Sequence, residues 1–247
     1  MPSENGNHSA SIAPRISVVI PVLNEAERIN FMVSGIRSLS DARLPIEIIV
    51  SDGSTEADTL AALRYPDVVR VASRMGRAKQ MNAGAAVARG SVLLFLHADT
   101  RLPEGAFQEI VSALENGDVV AGAFELGIDS GRALFRISEL YVSLRTRFTR
   151  IPFGDQAIFI STEYFRRMRG YSDIPIMEDV ELMKRIRRNG DSIRIIPRKV
   201  MTSPRRWERE GVLYGLLRNW TLQFMYLLGV PSGQLAKYYS NKKDVGS

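Results

Sequence analysis

The stretch Phe95-Leu96-His97-Ala98-Asp99 is an apolar run that ends in a polar triplet, and it is the most informative part of the chain. Such a run predicts a buried strand that carries His97 and Asp99 out of a sheet. Because they are two residues apart, the two side chains share one side. Taken alone, the triplet also fits a surface turn after a core strand. Further acids at Asp52 and at Glu178-Asp179 favour a functional site.

Three more apolar runs precede this one. Together the four runs, rich in β-branched residues, predict strands over 16–21, 46–52, 68–72 and 92–96. Helical spacing lies between them, over 26–38, 59–65 and 79–89. This alternation predicts an α/β fold with a mostly parallel sheet and helices on both faces. Ligands bind beyond the carboxyl ends of the strands in such sheets.

The second half of the chain is less regular. Helices are predicted over 105–115, 132–149, 162–168 and 180–189, and strands over 119–126, 154–160 and 193–196. No composition shift marks a linker, so we predict one domain over 15–230. Its parts are two functional halves, 15–100 and 101–210, and a C-terminal helix over 211–230. Residues 1–14 and 231–247 are predicted to be tails, the first of them disordered.

The composition is that of an ordinary globular protein. Of the 247 residues, 45% are hydrophobic and 24% charged, which allows a sizeable core. The chain has no cysteine, which excludes disulfides and thiolate chemistry and fits a reducing compartment. The net charge of +6 favours anionic partners such as nucleotides, phosphates or acidic lipid. Nucleic acid is the weaker candidate, because no nucleic-acid-binding motif accompanies the basic residues.

One long apolar stretch covers 212–230, and Arg218, Asn219 and Gln223 interrupt it. A membrane-spanning helix normally needs about 20 uninterrupted apolar residues, so no transmembrane helix is predicted. We favour a helix that packs against the body of the protein. A helix that lies on a membrane surface is the alternative.

Basic residues cluster at Arg74, Arg77 and Lys79, just before the third helix, which we predict to begin near Gln80. A basic loop at a helix N-terminus suits a diphosphate, because the charges and the free backbone N–H groups act together. Gly76 gives such a loop the freedom to wrap a phosphate. The alternative is a solvated, charged loop.

Six segments carry a resemblance when they are taken in order. They are Val19-Ile-Pro-Val-Leu-Asn-Glu25, Val50-Ser-Asp-Gly-Ser-Thr55, Lys79-Gln-Met-Asn-Ala-Gly84, Phe95-Leu-His-Ala-Asp99, Met177-Glu-Asp-Val-Glu181 and Ser203-Pro-Arg-Arg-Trp207. This series resembles the family 2 inverting glycosyltransferases of the GT-A fold, over roughly 15–220. The short form, with His-Ala-Asp and Arg-Arg-Trp-Glu, is similar to a bacterial subgroup linked to arsenosugar biosynthesis.

The resemblance implies transfer of a sugar from a nucleotide-sugar, usually a UDP-sugar, to a hydroxyl acceptor with inversion. The nucleotide-sugar would bind in the first half, 15–100, and the acceptor in the second, 101–210. The residues implied at the nucleotide-sugar are Pro21, Asn24, Glu25, Asp52, Arg74, Arg77, Lys79, His97, Ala98 and Asp99. Asp52 also fits the cap of a turn at Gly53-Ser54, and Asn24 and Glu25 also fit the N-cap of the next helix.

A divalent metal is also implied. The family motif is usually Asp-x-Asp, whose last Asp holds a cation on the diphosphate, so Asp99 is the predicted ligand. His97 stands where the first Asp is usual, which leaves the role of that position open. As a metal ligand, its imidazole would favour Mn²⁺ slightly over Mg²⁺. The cation would act as a Lewis acid on the departing diphosphate.

Asp179 is the predicted general base, which removes the acceptor's proton while the acceptor oxygen attacks the anomeric carbon. The alternative is that Glu178-Asp179 merely begins a helix, where acids favour the helix dipole. The residues implied on the acceptor side are Gly154, Asp155, Gln156, Glu178, Arg206 and Trp207. Ser203 stands where processive family members have Gln, so polymer synthesis is not supported.

Other functions are weaker alternatives. A non-catalytic nucleotide-binding or membrane-surface module would fit the basic charge and the arginines between Arg132 and Arg150, but not Asp52, Asp99 and Asp179. A nucleotidyltransferase or a dinucleotide-binding oxidoreductase would show a Gly-rich loop after the first strand, which is missing. We expect a cytoplasmic protein without a nucleic-acid partner. Peripheral contact at the inner membrane face, a small or a lipid-linked acceptor and the oligomeric state are left open.

Overall fold

In the computed structural model, which describes residues 15–115, 117–205, 208 and 211–239, eight strands form one sheet. The strands are β1 (Ile16–Val22), β2 (Ile46–Asp52), β3 (Val69–Ala72), β4 (Val92–Phe95), β5 (Thr100–Arg101), β6 (Val119–Ile128), β7 (Phe159–Ser161) and β8 (Ser192–Thr202). The helices are α1 (Ile29–Ser38), α2 (Asp58–Ala62), α3 (Arg77–Val87), α4 (Ala106–Glu115), α5 (Ala133–Thr149), α6 (Thr162–Arg167), α7 (Glu178–Arg188), α8 (Val212–Leu227) and α9 (Ser232–Tyr239).

The strand order across the sheet is β3-β2-β1-β4-β7-β6-β8-β5. β1 pairs in parallel with β2 and β4, and β3 pairs in parallel with β2. β7 is antiparallel to β4 and β6, β8 is parallel to β6, and β5 is antiparallel to β8. The predicted α/β fold with a mostly parallel sheet is therefore confirmed, and β7 and β5 add antiparallel pairs to it.

The core lies on both faces of the sheet because alternate side chains of each strand point to opposite faces. On one face Val18 and Ile20 of β1 pack with α1 and α4. On the other face Val19 packs with α3, α6 and α7. A Cβ at Gly84 of α3 would lie 2.5 Å from Cγ1 of Val19, so only glycine lets α3 sit this close to β1. The prediction of helices on both faces is confirmed.

A third apolar cluster holds the C-terminal helices. Leu222 of α8 and Leu235 of α9 pack with Ile176, in the loop before α7. The prediction of a tail over 231–247 is therefore wrong at residues 232–239, which form α9. The fully buried Leu235 packs this helix against the domain. Among the described helices, none is both long and apolar enough to cross a bilayer.

Strand β8 is much longer than the predicted strand over 193–196. Proline has no backbone N–H to donate to the hydrogen bonds of a sheet, so Pro197 favours an end of the strand before it. In the structure Ile196 pairs with Phe124 and Lys199 pairs with Glu125, so a bulge takes up the two residues between them. The strand then continues in register to the edge of the sheet where the candidate site lies.

Residues 154–160 do not form the single strand that was predicted. Residues 154–156 form a 3₁₀ turn, and β7 begins only at Phe159. Oε1 of Gln156 accepts a 3.1 Å hydrogen bond from the Phe153 N–H, which closes the turn. Ala157, with φ of 51°, then redirects the chain into the strand. A side-chain contact of this kind leaves no periodic signal in the sequence.

Two helix starts also differ from the prediction. The carbonyl of Glu25 accepts hydrogen bonds from the N–H groups of Arg28 and Ile29, so a turn precedes α1. The N-cap of α1 is Arg28, and it is neither Asn24 nor Glu25. Helix α3 begins at Arg77, two residues earlier than predicted.

Candidate active site

The loops after β1, β2 and β4 meet at one edge of the sheet. Val22 at the end of β1 pairs with Asp52 at the end of β2, and β4 flanks β1 on its other side. Asn24, with φ of 56°, follows β1, and the triplet from His97 to Asp99 follows β4. The carboxyl ends of parallel strands are where ligands bind in such sheets, so the candidate site begins here.

Asp52 is fully buried at the end of β2. Its Oδ1 accepts a 2.9 Å hydrogen bond from the Ser54 N–H, which is the turn-capping role. Its Oδ2 is also buried, and it has no hydrogen-bond partner within the described part of the chain. Since buried polar atoms are nearly always paired, this oxygen is suited to accept a hydrogen bond from a ligand.

Sequence reasoning missed Gln80, which holds the ends of β1 and β2 together. Its Nε2 donates to the carbonyl of Val22 and, at 3.2 Å, to that of Ser51. A Cβ at Gly53 would lie 2.8 Å from Cδ of Gln80, so the turn after β2 packs directly on this amide. Gln80 therefore positions the Asp52 turn. A glutamine within the Ala-rich stretch over 79–89 is the sequence signal that could have found it.

The three basic residues predicted to bind the diphosphate have different surroundings. Arg77 lies in the first turn of α3 and forms an ion pair with Glu178, at the start of α7. Glu178 is only 1% exposed, and burial raises its pKa while the Arg77 guanidinium opposes that rise. Lys79 lies 3.6 Å from Asp173, and Arg74 is exposed in the loop before α3. The Arg77 pair thus joins the two halves of the domain.

A cavity of about 170 Å³ lies beside the strand ends. Six predicted site residues line it together: Arg77, His97, Asp99, Gly154, Asp155 and Asp179. The end of β8 adds Thr202 and Ser203, and α8 adds Asn219 and Gln223. Residues predicted to bind the nucleotide-sugar and residues predicted to bind the acceptor therefore line the same cavity.

Asp179 lies in the first turn of α7 with both oxygens engaged. Oδ2 accepts a 2.6 Å hydrogen bond from the Gly154 N–H, and Oδ1 accepts one of 2.7 Å from the Val180 N–H. A Cβ at Gly154 would lie 2.9 Å from Nε2 of His97 and 3.3 Å from Oδ2 of Asp179. Each carboxylate oxygen keeps a second lone pair, so Asp179 can still accept a proton from the cavity.

His97 and Asp155 each bury a polar atom in the cavity wall. Burial lowers the pKa of His97 to about 3, and the Arg77 cation acts in the same direction. Burial raises the pKa of Asp155 to about 6 against the opposing charge of Arg145, and nearby Asp179 raises it further. Nε2 of His97 and Oδ1 of Asp155 find no hydrogen-bond partner among the described residues.

The chemistry of His97 and Asp99 fits a divalent cation. A neutral imidazole whose Nε2 has no partner among the described residues and a carboxylate that lines the same cavity are both common metal ligands. In the described ranges, no group of three or more Asp, Glu, His or Cys side chains could hold a metal ion. A cation at this place would therefore need further oxygen ligands from a bound molecule or water.

Arg145 of α5 contacts the cavity-lining residues Phe153 and Gln223, and sequence reasoning missed it. Its guanidinium lies 3.6 Å from the ring centroid of Phe153 and donates a 3.1 Å hydrogen bond to Oε1 of Gln223. It also donates to Oε1 of Gln156, whose Nε2 donates to the Phe124 carbonyl. The polar residues that interrupt the apolar 212–230 stretch are a sequence signal for this side of the cavity, because two of them, Asn219 and Gln223, line it.

The model of the protein family described as Glycosyl transferase family 2 matches residues 17–173, more than half of the chain. The chain belongs to this family. The match begins at the second residue of β1, includes β2 to β7 and the 154–156 turn, and ends before Asp179.

Two curated relatives match this family 2 glycosyltransferase over part of their length. An uncharacterized glycosyltransferase of Nostoc sp. is 31% identical over 123 residues, which is 47% of this chain and 38% of that protein. An uncharacterized protein of Mycobacterium tuberculosis is 28% identical over 141 residues, 56% of this chain and 44% of that protein. The chain thus spans less than half the length of these relatives.

Solved structures share the fold of this glycosyltransferase. One is the mannosyltransferase PcManGT from Pyrobaculum calidifontis in complex with GDP-Man and Mn²⁺. It has a TM-score of 0.62 and 22% identity, over 77% of this chain and 57% of that chain. Another is S. aureus TarS in complex with UDP-GlcNAc, with a TM-score of 0.59 and 14% identity, over 76% and 58%. These likenesses establish the GT-A fold.

The remaining predicted residues of the glycosyltransferase do not line the 170 Å³ cavity. Pro21, Asn24, Glu25, Arg74 and Lys79 lie along the same edge of the sheet or on α3. Gln156 and Glu178 stand behind the wall, bonded to Arg145 and Arg77, and Ala98 lines a second cavity of about 400 Å³ beside α1. Arg206 and Trp207 lie outside the described residues.

Proposed function

We propose that this glycosyltransferase transfers a sugar from a UDP-sugar to a hydroxyl acceptor, with inversion at the anomeric carbon. The observation that carries the proposal is the 170 Å³ cavity, whose lining includes Asp179, Asp99 and His97. A single displacement needs one carboxylate for the acceptor proton and a means of neutralising the departing diphosphate. The cavity wall contains residues of both kinds.

The donor half of the proposal rests on the strand ends. Oδ2 of Asp52, which has no partner in the described part of the chain, would accept a hydrogen bond from the base or the ribose, while Oδ1 keeps the turn closed. Arg77, in the first turn of α3, would contact the diphosphate. The neighbouring structures with GDP-Man and with UDP-GlcNAc support a nucleotide-sugar as the donor class.

Asp99 and His97 would hold a divalent cation, Mn²⁺ or Mg²⁺, on the diphosphate. When bound, the cation supplies Lewis-acid neutralisation of the leaving group. The depressed pKa of His97 keeps its imidazole neutral at physiological pH, which is the form that can bind a metal. The mannosyltransferase complex with Mn²⁺ supports a metal-dependent reaction.

Asp179 would act as the general base. The acceptor oxygen attacks the anomeric carbon, its proton passes to a carboxylate oxygen of Asp179, and the bond from that carbon to the diphosphate breaks. The electron pair of that bond leaves with the nucleoside diphosphate, so the step balances without a second acid. The Gly154 N–H holds Asp179 in place during the transfer.

The acceptor side would be formed by the 154–156 turn and α8. Oδ1 of Asp155 lacks a partner among the described residues and could bind an acceptor hydroxyl. Gln156 and Arg145 would position the turn through their mutual hydrogen bond. The acceptor is a hydroxyl compound, either small or carried by a lipid.

Thermal unfolding with ligands tests the donor assignment. We expect UDP with Mn²⁺ to raise the melting temperature by several degrees, since a ligand of the folded state stabilises it by mass action. GDP, CDP and dTDP serve as comparisons, each with and without Mn²⁺. Asp99→Asn should remove the metal-dependent part of the shift, while the exposed control Asp118→Asn should keep it.

The outcomes separate the candidate functions. The proposal is supported if, of the four diphosphates, only UDP gives a metal-dependent shift of the melting temperature and if the enzyme releases UDP from a UDP-sugar. A shift without any turnover of nucleotide-sugars would favour a non-catalytic nucleotide-binding module. No shift with any of the four diphosphates would overturn the nucleotide-sugar assignment.

A further inference from the structure

Helix α5 packs against the body of the domain on one side and faces solvent on the other. Arg145 is on the inner side, where it bonds Gln156 and Gln223. On the outer side Ile137, Leu140, Leu144 and Phe148 are exposed, and Phe148 reaches 83%. Their spacing of three, four and four residues places them in one stripe along the helix.

Helix α8 repeats this arrangement. Its inner side gives the cavity Asn219, Leu222 and Gln223. On its outer side Leu213, Leu217, Phe224 and the following Leu228 are exposed, again at helical spacing.

The two stripes form one continuous area. Tyr141 of α5 and Trp220 of α8 bring their ring centroids to 4.8 Å, so the helices touch between their stripes. We name the exposed side chains of both helices the α5–α8 surface. Soluble monomers seldom expose a contiguous apolar patch of this kind unless it binds something.

The exposed charged side chains of α5 and α8 themselves are all cations, while the exposed Asp129 before α5 is paired with Arg101. Glu139 is the one acidic residue of α5, and it is only 3% exposed, while the sequence of α8 contains no acid. Arg132 and Arg150 flank α5 and are exposed, and the Arg136 and Arg147 side chains are about half exposed although paired. The surface therefore combines exposed apolar side chains with cations and no exposed carboxylate of these helices.

We propose that the α5–α8 surface docks on the headgroup region of an anionic lipid bilayer. Apolar side chains of an amphipathic helix enter the boundary of the acyl chains, tyrosine and tryptophan rings favour the headgroup level, and arginines bind anionic lipid. The inner face of α8 lines the cavity, and Arg145 of α5 is hydrogen-bonded to Gln223 in that lining. Docking would therefore place the acceptor side of the cavity about one helix diameter, ~10 Å, from the membrane.

A second copy of the chain is a poorer occupant of this surface. In a two-fold dimer the same patch faces itself, so Arg132, Arg150 and the neighbouring arginines of both copies would be brought together. Like charges at an interface cost binding energy, whereas an anionic bilayer offers the opposite charge. Charge complementarity thus favours lipid.

Vesicle sedimentation with the full chain tests the proposal. We expect binding to vesicles of phosphatidylcholine with 30% phosphatidylglycerol and much weaker binding to phosphatidylcholine alone. Phe148→Ser/Phe224→Ser should lower the partition coefficient roughly tenfold or more, because it removes two aromatic rings that would enter the bilayer. The matched control Phe31→Ser/Met75→Ser removes two equally exposed apolar side chains elsewhere, 73% and 69% exposed, and should bind as the wild type does.

Charge variants complete the test. Arg132→Ala and Arg150→Ala should each weaken binding to the anionic vesicles on the order of fivefold and leave binding to neutral vesicles unchanged. Equal loss in the Phe31→Ser/Met75→Ser control, or no vesicle binding by the wild type, would overturn the proposal. A dimer in light scattering that Phe148→Ser/Phe224→Ser dissociates would assign the surface to a second copy instead. None of these readouts needs transfer activity, so this proposal and the proposed function can fail separately.

Discussion

The backbone N–H of Gly154 donates a 2.6 Å hydrogen bond to Oδ2 of Asp179, across 25 residues of sequence. The bond fixes the proposed base against the turn that also carries Asp155. A Cβ at residue 154 would press on Nε2 of His97 and on Oδ2 of Asp179 together. The proposed base and the proposed metal ligand therefore depend on one small residue between them.

Replacing this residue, Gly154→Ala, should impair chemistry more than folding. The added methyl group must push His97 or Asp179 aside, and a displacement of about 1 Å can cost roughly 100-fold in rate. We expect kcat/KM for sugar transfer to fall by about that factor, with a stability loss of about 1–3 kcal/mol from overpacking. Gly131→Ala, where a Cβ meets open space, is the control for both measurements. A fully active Gly154→Ala enzyme would contradict the close packing.

Asp179→Asn should separate binding from transfer. Asparagine keeps an acceptor oxygen for a backbone N–H but cannot take a proton. We expect the Kd for UDP to stay within about twofold and turnover to fall roughly 10²–10⁴-fold, the usual contribution of a positioned base. Glu181→Gln, two residues along α7 and paired with Arg185, should retain activity. Unchanged turnover in Asp179→Asn would exclude it as the base.

The position of the candidate site could be predicted from the strand pattern, because the carboxyl ends of parallel strands meet at one edge of a sheet. The periodic runs of β1, β2 and β4 placed Asp52, His97 and Asp99 there without any tertiary information. The acidic start of α7 lay far along the chain, and only the family resemblance linked it to them.

The supporting residues could not be predicted in the same way. Gln80 works through backbone carbonyls of two strands, and Arg145 works through Gln156 and Gln223. Such contacts depend on distances between elements that no local pattern encodes. The 3₁₀ turn over 154–156 follows from them, since the side chain of Gln156 closes it.

Asp155→Asn should stabilise the metal-free protein in a pH-dependent way. Burial raises the pKa of Asp155 from 3.8 to about 6, so between about pH 4 and pH 6 the folded state binds more protons than the unfolded state. Stability then falls as the pH rises through this window. At pH 7.5 the buried carboxylate is ionised at a cost, and its removal should raise the free energy of unfolding by about 3 kcal/mol.

Urea unfolding in EDTA at pH 4, 5, 6 and 7.5 measures this effect. The gain from Asp155→Asn should shrink toward zero near pH 4, where the wild-type carboxyl group is largely protonated when folded. The exposed Asp118→Asn should show no such trend. A constant difference between Asp155→Asn and the wild type at all four pH values would contradict the raised pKa.

The Arg77–Glu178 pair allows the structural and ligand-binding roles of Arg77 to be separated. Arg77→Met leaves the buried Glu178 without its cation, which should cost about 3 kcal/mol in urea unfolding. The double variant Arg77→Met/Glu178→Gln removes the stranded charge and should recover most of that loss. Because Arg77 also lines the cavity, the recovered double variant should still bind UDP at least tenfold more weakly than the wild type. Wild-type affinity in the double variant would show that Arg77 only joins α3 to α7, and the diphosphate would then need another cation.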